Sequence, residues 1–163
     1  MPPAILRLQG QDCSVVFDTR SLPIVFATWS GVPDLELIDA YFATQVQQST
    51  ILRPSGRKMI IISDCRTMGR ATPVARKRIA ELSDAQRELF GATMLGSCTV
   101  FSSALIRGVL TALSWLDPGL RVPTFATLEA AVAWAAQQLV AAGVAVPQVD
   151  LDEVVEAGVG SAT

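Results

Sequence analysis

The sequence predicts an α/β domain with a mixed, mostly parallel sheet of about five strands joined by four crossover helices. Short apolar runs rich in β-branched residues alternate along the chain with stretches whose apolar residues recur at helical spacing. The first two strand runs lie close enough together for an antiparallel hairpin, which makes the sheet mixed. The third, Met59 to Ile62, is continuously apolar, as a central parallel strand covered on both faces requires.

Ile5 to Leu8 suits an edge strand, and Cys13 to Phe17 and Pro23 to Trp29 suit the two arms of the hairpin, joined through the polar residues Asp18 to Ser21. Asp34 is placed to cap a first helix, with Leu35, Ile38, Phe42 and Val46 at helical intervals and Pro54 and Gly56 as its stop. The central strand is expected to end at Ser63 and Asp64. Thr72 followed by Pro73 starts a second helix, because the threonine oxygen accepts from an orphan amide and proline fits the first helical position. Its inward stripe is expected at Ala75, Ile79, Leu82, Leu89 and Phe90, with Gly91 as the stop.

Leu95 to Phe101 suits another strand, after which Ser102 or Ser103 caps a helix burying Ile106, Val109, Leu110, Leu113 and Leu116. Pro118 and Gly119 turn the chain into a last strand, Leu120 to Phe125. Thr127 then opens a helix on Leu128, Ala131, Val132, Ala135 and Leu139 that stops before Gly143. The domain is therefore expected to span residues 1–143. Residues 144–163, acidic through Asp150, Asp152, Glu153 and Glu156 and glycine-bearing near the end, are expected to form a flexible tail.

A chain of 163 residues fits one domain, and that length buries about 70% of the unfolded surface. Half of the residues are hydrophobic and 17% charged, a balance that excludes disorder for most of the chain. Arg107, Gln137 and Pro147 break the longest apolar stretches, short of the roughly 18 to 20 residues a membrane span needs. Pro2 and Pro3 follow Met1 in place of a charged-then-apolar leader, so the expected setting is soluble and cytoplasmic.

Cys13, Cys65 and Cys98 are far apart, and with no histidine in the chain they complete no zinc set, so three buried reduced thiols are expected. The missing imidazole also closes the usual serine and cysteine nucleophile chemistry. Cys65 alone has an adjacent cation, Arg66, of the kind that lowers a thiol pKa, yet no acid or base can be named beside it. The glycines match neither common phosphate-binding pattern. No catalytic residue, metal or cofactor is assigned.

Arg53, Arg57, Lys58, Arg66, Arg70, Arg76, Lys77, Arg78 and Arg87 gather most of the thirteen basic residues into one region. One reading is a solvated helix face with pairs such as Lys77 and Glu81. The other is a docking edge at the start of helix two, where Arg70 and Arg76 add to the positive helix terminus. A pI near 5.1 and the lack of interleaved aromatics argue against nucleic acid.

Several of these features together resemble the STAS fold, and more narrowly its SpoIIAA-like branch. They are the hairpin, the apolar strand ending in Asp64, the helix start at Thr72, the strand ending Thr99, Val100, Phe101, and Trp115 and Leu116 followed by Arg121 to Phe125. The closing run Phe125, Leu128, Glu129, Ala130, Ala131 and Trp134 is also similar to that branch, and the resemblance covers roughly residues 12–140. It implies a non-enzymatic regulatory docking module. In anti-sigma-factor antagonists of this family the phosphoacceptor lies in an Asp-Ser-Ser-Gly motif, and here Thr72 and Pro73 fall over its first two positions, so the family acceptor is missing. Thr67 and Thr72 are the nearby hydroxyls, with helix capping the expected role of Thr72.

The expected partner-binding residues are Asp64, Arg66, Thr67, Arg70, Thr72 and Arg76, facing another protein with an acidic surface, with a homodimer left open. The alternative is a small apolar, lipid-like ligand in a pocket of Trp29, Phe101, Trp115, Phe125 and Trp134.

Overall fold

The computed structural model describes residues 3–109 and 122–160. Six strands form one sheet in sequential order: β1 Ile5–Gln9, β2 Cys13–Asp18, β3 Ile24–Gly31, β4 Met59–Met68, β5 Met94–Val100 and β6 Thr124–Phe125. β1, β2 and β3 pair antiparallel, and β3 to β6 pair parallel, which is the expected mixed sheet with the edge strand included. Helices α1 Leu35–Leu52 and α2 Pro73–Phe90 follow β3 and β4, residues 104–109 are helical (α3), and α4 Leu128–Ala141 and α5 Leu151–Val159 close the chain.

The sheet divides two cores by the period-2 alternation of its strands. On one face, Val15, Phe17, Val25, Ala27, Met59 and Ile61 pack against Leu37, Ile38 and Tyr41 of α1 and Ala75 and Phe90 of α2. On the other, Ile24, Phe26, Ile60, Ile62, Cys98 and Val100 pack against Leu128, Ala131, Ala135 and Leu139 of α4 and Val154 of α5. The run Met59 to Ile62 is wholly buried because its alternate side chains feed both cores.

The helix starts follow their caps. Asp34 accepts from the Leu37 amide, Thr72 from Ala75 and Thr127 from Ala130. Ser103, of the two serines offered as caps for α3, accepts from Ile106. Gly31 ends β3 at φ 77°, and a Cβ there would lie 2.1 Å from the Asp12 carbonyl oxygen, so only glycine lets the β1–β2 turn approach this closely.

Four expectations are corrected. β4 does not stop at Asp64 but pairs with β3 as far as Met68, across a register shift between Thr28 and Ser30. Leu89 is half-exposed, while Gln86 takes the inward position on α2 and donates to the Phe42 carbonyl of α1 at 2.6 Å, a satisfied buried amide that periodicity does not flag. Ile106 and Val109, expected on a buried side, are exposed; Leu110, Leu113, Leu116 and the start of the last strand lie outside the described residues. The tail expected to be flexible beyond residue 143 instead contains α5, capped by Asp150 and buried through Val154 and Ala157. Among the described residues no helix is long and apolar enough to cross a membrane.

Candidate functional site

The carboxyl ends of β3 and β4 and the amino ends of α1 and α2 meet along one rim of the sheet, and the six residues expected to bind a partner lie there. Asp64 and Arg66 sit on β4 and, by alternation, face the α4 side, whereas Cys65 between them faces the α1 side. Asp64 is 5% exposed. Its two oxygens accept from Arg66 Nε at 2.9 Å and Nη2 at 2.8 Å, and Oδ1 also accepts from the Arg66 amide at 3.2 Å. This bidentate clamp fixes the guanidinium plane and raises the Arg66 pKa further above its ordinary value. Glu129 in the first turn of α4 adds to that shift through space only. Nη1 of Arg66 has no acceptor among the described residues.

Thr67 donates its hydroxyl to the Trp29 carbonyl at 2.7 Å, beside the register shift of β3. Thr72 is the cap of α2, accepting from the Ala75 amide at 3.2 Å. Arg70 in the loop and Arg76 in the first turn of α2 are exposed, and neither guanidinium meets an acceptor among the described residues. The rest of the basic region is more ordinary: Arg78 pairs with Asp39 and Glu81, and Lys77 with Glu81 at i, i+4. Three apolar side chains stand exposed on the same rim: Val32 after β3, Val74 opening α2, and Leu35 opening α1, which helical spacing places in one stripe with Ile38, Phe42 and Val46.

The aromatic residues expected to line one pocket are not brought together. Trp29 and Phe101 belong to the α1–α2 side, where Trp29 packs on Tyr41 at 4.7 Å. Phe125 of β6 and Trp134 of α4 pair on the α4 side, with ring centroids 6.0 Å apart. Trp115 lies outside the described residues. The sheet separates the two groups because Phe125 and Trp29 fall on opposite phases of the pleat.

The three cysteines are free and buried. Burial pushes the Cys65 thiol up, and the neighbouring Asp64 charge pushes it further, so Arg66 does not activate it. Cys98 is pushed up to about 12 by burial alone. Cys13 is raised as well, chiefly by burial, and its thiol donates to Asp34 Oδ2 at 3.3 Å.

Sequence reasoning missed a second clamp. Asp18 and Arg20 repeat the pattern of Asp64 and Arg66: Nε donates to Oδ1 at 3.0 Å, Nη2 to Oδ2 at 2.7 Å and the Arg20 amide to Oδ1 at 3.0 Å. The signal was present as two copies of apolar-apolar-x-Asp-x-Arg-Ser/Thr, Val15 to Ser21 and Ile61 to Thr67. Here the guanidinium goes further, with Nη1 on Glu153 Oε2 at 3.0 Å and Nη2 on the Glu153 carbonyl at 3.1 Å. A helix is thereby held by an Asp-clamped arginine.

No family model matches the chain, and no curated protein matches it. Among solved structures it is similar to an uncharacterized protein of the DUF3478 family with a SpoIIAA-like fold, from Shewanella loihica PV-4. The similarity has a TM-score of 0.50 at 14% identity and covers 80% of this chain and 91% of the other. That likeness shows the fold: the chain has a SpoIIAA-like fold, here with a six-stranded, mostly parallel sheet.

Proposed function

We propose that this chain is a non-enzymatic, cytoplasmic regulatory docking module of the STAS type, which binds an acidic protein surface through the rim of Asp64, Arg66, Thr67, Arg70, Thr72 and Arg76. The observation that carries the reading is the pair Arg70 and Arg76, both exposed without an acceptor among the described residues, beside the exposed Val32, Leu35 and Val74. Cations around an apolar centre favour an acidic partner with a small apolar contact, and the amino terminus of α2 adds to the same field. The apolar-ligand alternative has less support, since Trp29 and the pair Phe125 and Trp134 lie on opposite faces of the sheet.

The test is a parallel pull-down from the native organism with wild type and an Arg70→Glu/Arg76→Glu variant. Thermal melts should agree to within about 0.5 kcal/mol, because exposed charges contribute little to stability. The wild type should recover a partner that the variant loses and that higher salt releases. Equal recovery by both proteins would return the basic region to a solvated helix face.

A further inference from the structure

The geometry points to Arg66 as the receptor for a glutamate on the first turn of an incoming partner helix, held as Arg20 holds Glu153 of α5. This deepens the docking proposal above and rests on it. The two clamps are alike to within 0.2 Å in each of their three shared hydrogen bonds. Both aspartate side chains are nearly buried and both arginine side chains about one-third exposed, at 35% for Arg20 and 34% for Arg66. Each aspartate fixes its arginine's plane, so an arriving carboxylate meets donors whose rotamer freedom is already lost.

What differs is the outer edge. At Arg20 it is filled by Glu153, the third residue of α5, through both its carboxylate and its carbonyl. At Arg66 it is open among the described residues, with Glu129 acting only at longer range. The occupant we assign is therefore an acidic amphipathic helix of a partner protein, entering by its amino-terminal turn. Charge complementarity with Arg66, Arg70 and Arg76 sets its sign, and α5 shows the chemistry that fits: Asp150 as cap, then Asp152 and Glu153, with Val154 and Ala157 as the apolar contacts.

The probe is a helix-stapled peptide with the sequence of residues 149–160, titrated into the isotopically labelled full chain, whose own α5 already occupies Arg20. The Arg66 Nε–H resonance should shift saturably below about 1 mM. Affinity, followed at the Thr67 amide, should fall about tenfold in Arg66→Lys, which keeps the charge and loses the fork. A peptide carrying Glu153→Gln should weaken equally. No shift at Arg66, an unchanged affinity in Arg66→Lys, the same shift with acetate alone, or a response confined to Arg20 would each overturn the assignment. The pull-down with Arg70→Glu/Arg76→Glu reads the wider docking proposal separately: a partner lost there while the peptide ignores Arg66 sinks this assignment alone.

Discussion

The two Asp-x-Arg clamps lie on the same sheet face, on β2 and β4 either side of β3, and they differ in what their arginines meet. Asp18 closes β2 near the start of β3, paired with Phe26, and α5 lies across it. Asp64 lies toward the end of the parallel strands, paired with Thr28 and Val100, and β4 runs on past it to Met68. One local sequence pattern thus serves as a latch where Glu153 of α5 accepts from its arginine and stands open where the arginine meets only its own aspartate. The lesson is that a buried carboxylate sets the arginine, and topology decides whether that arginine is used internally.

The strongest way to break the comparison is to convert the first clamp into the second. Ending the chain after Gln148 removes α5, exposing the side of the core that Leu151, Val154 and Ala157 cover. Denaturant unfolding should then show a loss of about 3 kcal/mol, given the apolar area involved. A loss near zero would mean that α5 is not anchored at Arg20 and that the two clamps are equivalent.

A finer distinction comes from replacing each arginine by lysine in the full chain. Both changes lose the bidentate bonds to aspartate, about 1 to 2 kcal/mol for charge-assisted hydrogen bonds at partly exposed sites. Arg20→Lys should cost about 0.5 to 1 kcal/mol more than Arg66→Lys, because it also releases Glu153. A double-mutant cycle of Arg20→Lys with Glu153→Gln should recover that difference as coupling energy. Equal costs for the two lysine variants would remove the energetic basis of the latch.

The smallest effect concerns the support of the open clamp's rim. Thr72→Ala should cost about 1 kcal/mol, and Thr72→Asp should restore nearly all of it, since aspartate accepts from the same amides. Peptide binding at Arg66 should weaken in Thr72→Asp, which adds a negative charge to the rim proposed to receive an acidic partner. A stable Thr72→Asp that binds the peptide as wild type does would remove Thr72 from the docking contact.

Element order was readable because helix starts here are chemically explicit: Asp34, Thr72 and Thr127 each cap as their type and position require. The start of α2, on which the proposed rim is built, was readable for the same reason, since Thr72 and Pro73 mark where the helix begins and Arg70 and Arg76 flank that point. The extension of β4 to Met68 was not, because Arg66 and Thr67 are polar edge-facing residues whose pairing depends on β3 lying alongside. Nor was α5: four acids and two glycines outweigh Val154 and Ala157 in a local reading, and the arginines that hold it are remote in sequence, Arg7 on the Ala157 carbonyl and Arg20 on Glu153. The common aromatic pocket failed on pleat phase, which composition cannot reveal.

The contact of Gly158 with Thr28 fixes where α5 ends. A Cβ at Gly158 would lie 2.7 Å from the Thr28 methyl, so the backbone of α5 runs directly over the strand position that pairs with Asp64. At the same end of α5, Arg7 of β1 donates to the Ala157 carbonyl. The last turn of α5 therefore reaches from β1 to β3 and ends between the two clamps. A fluorophore on the exposed Val159 would report on that stretch of sheet face next to the proposed docking rim.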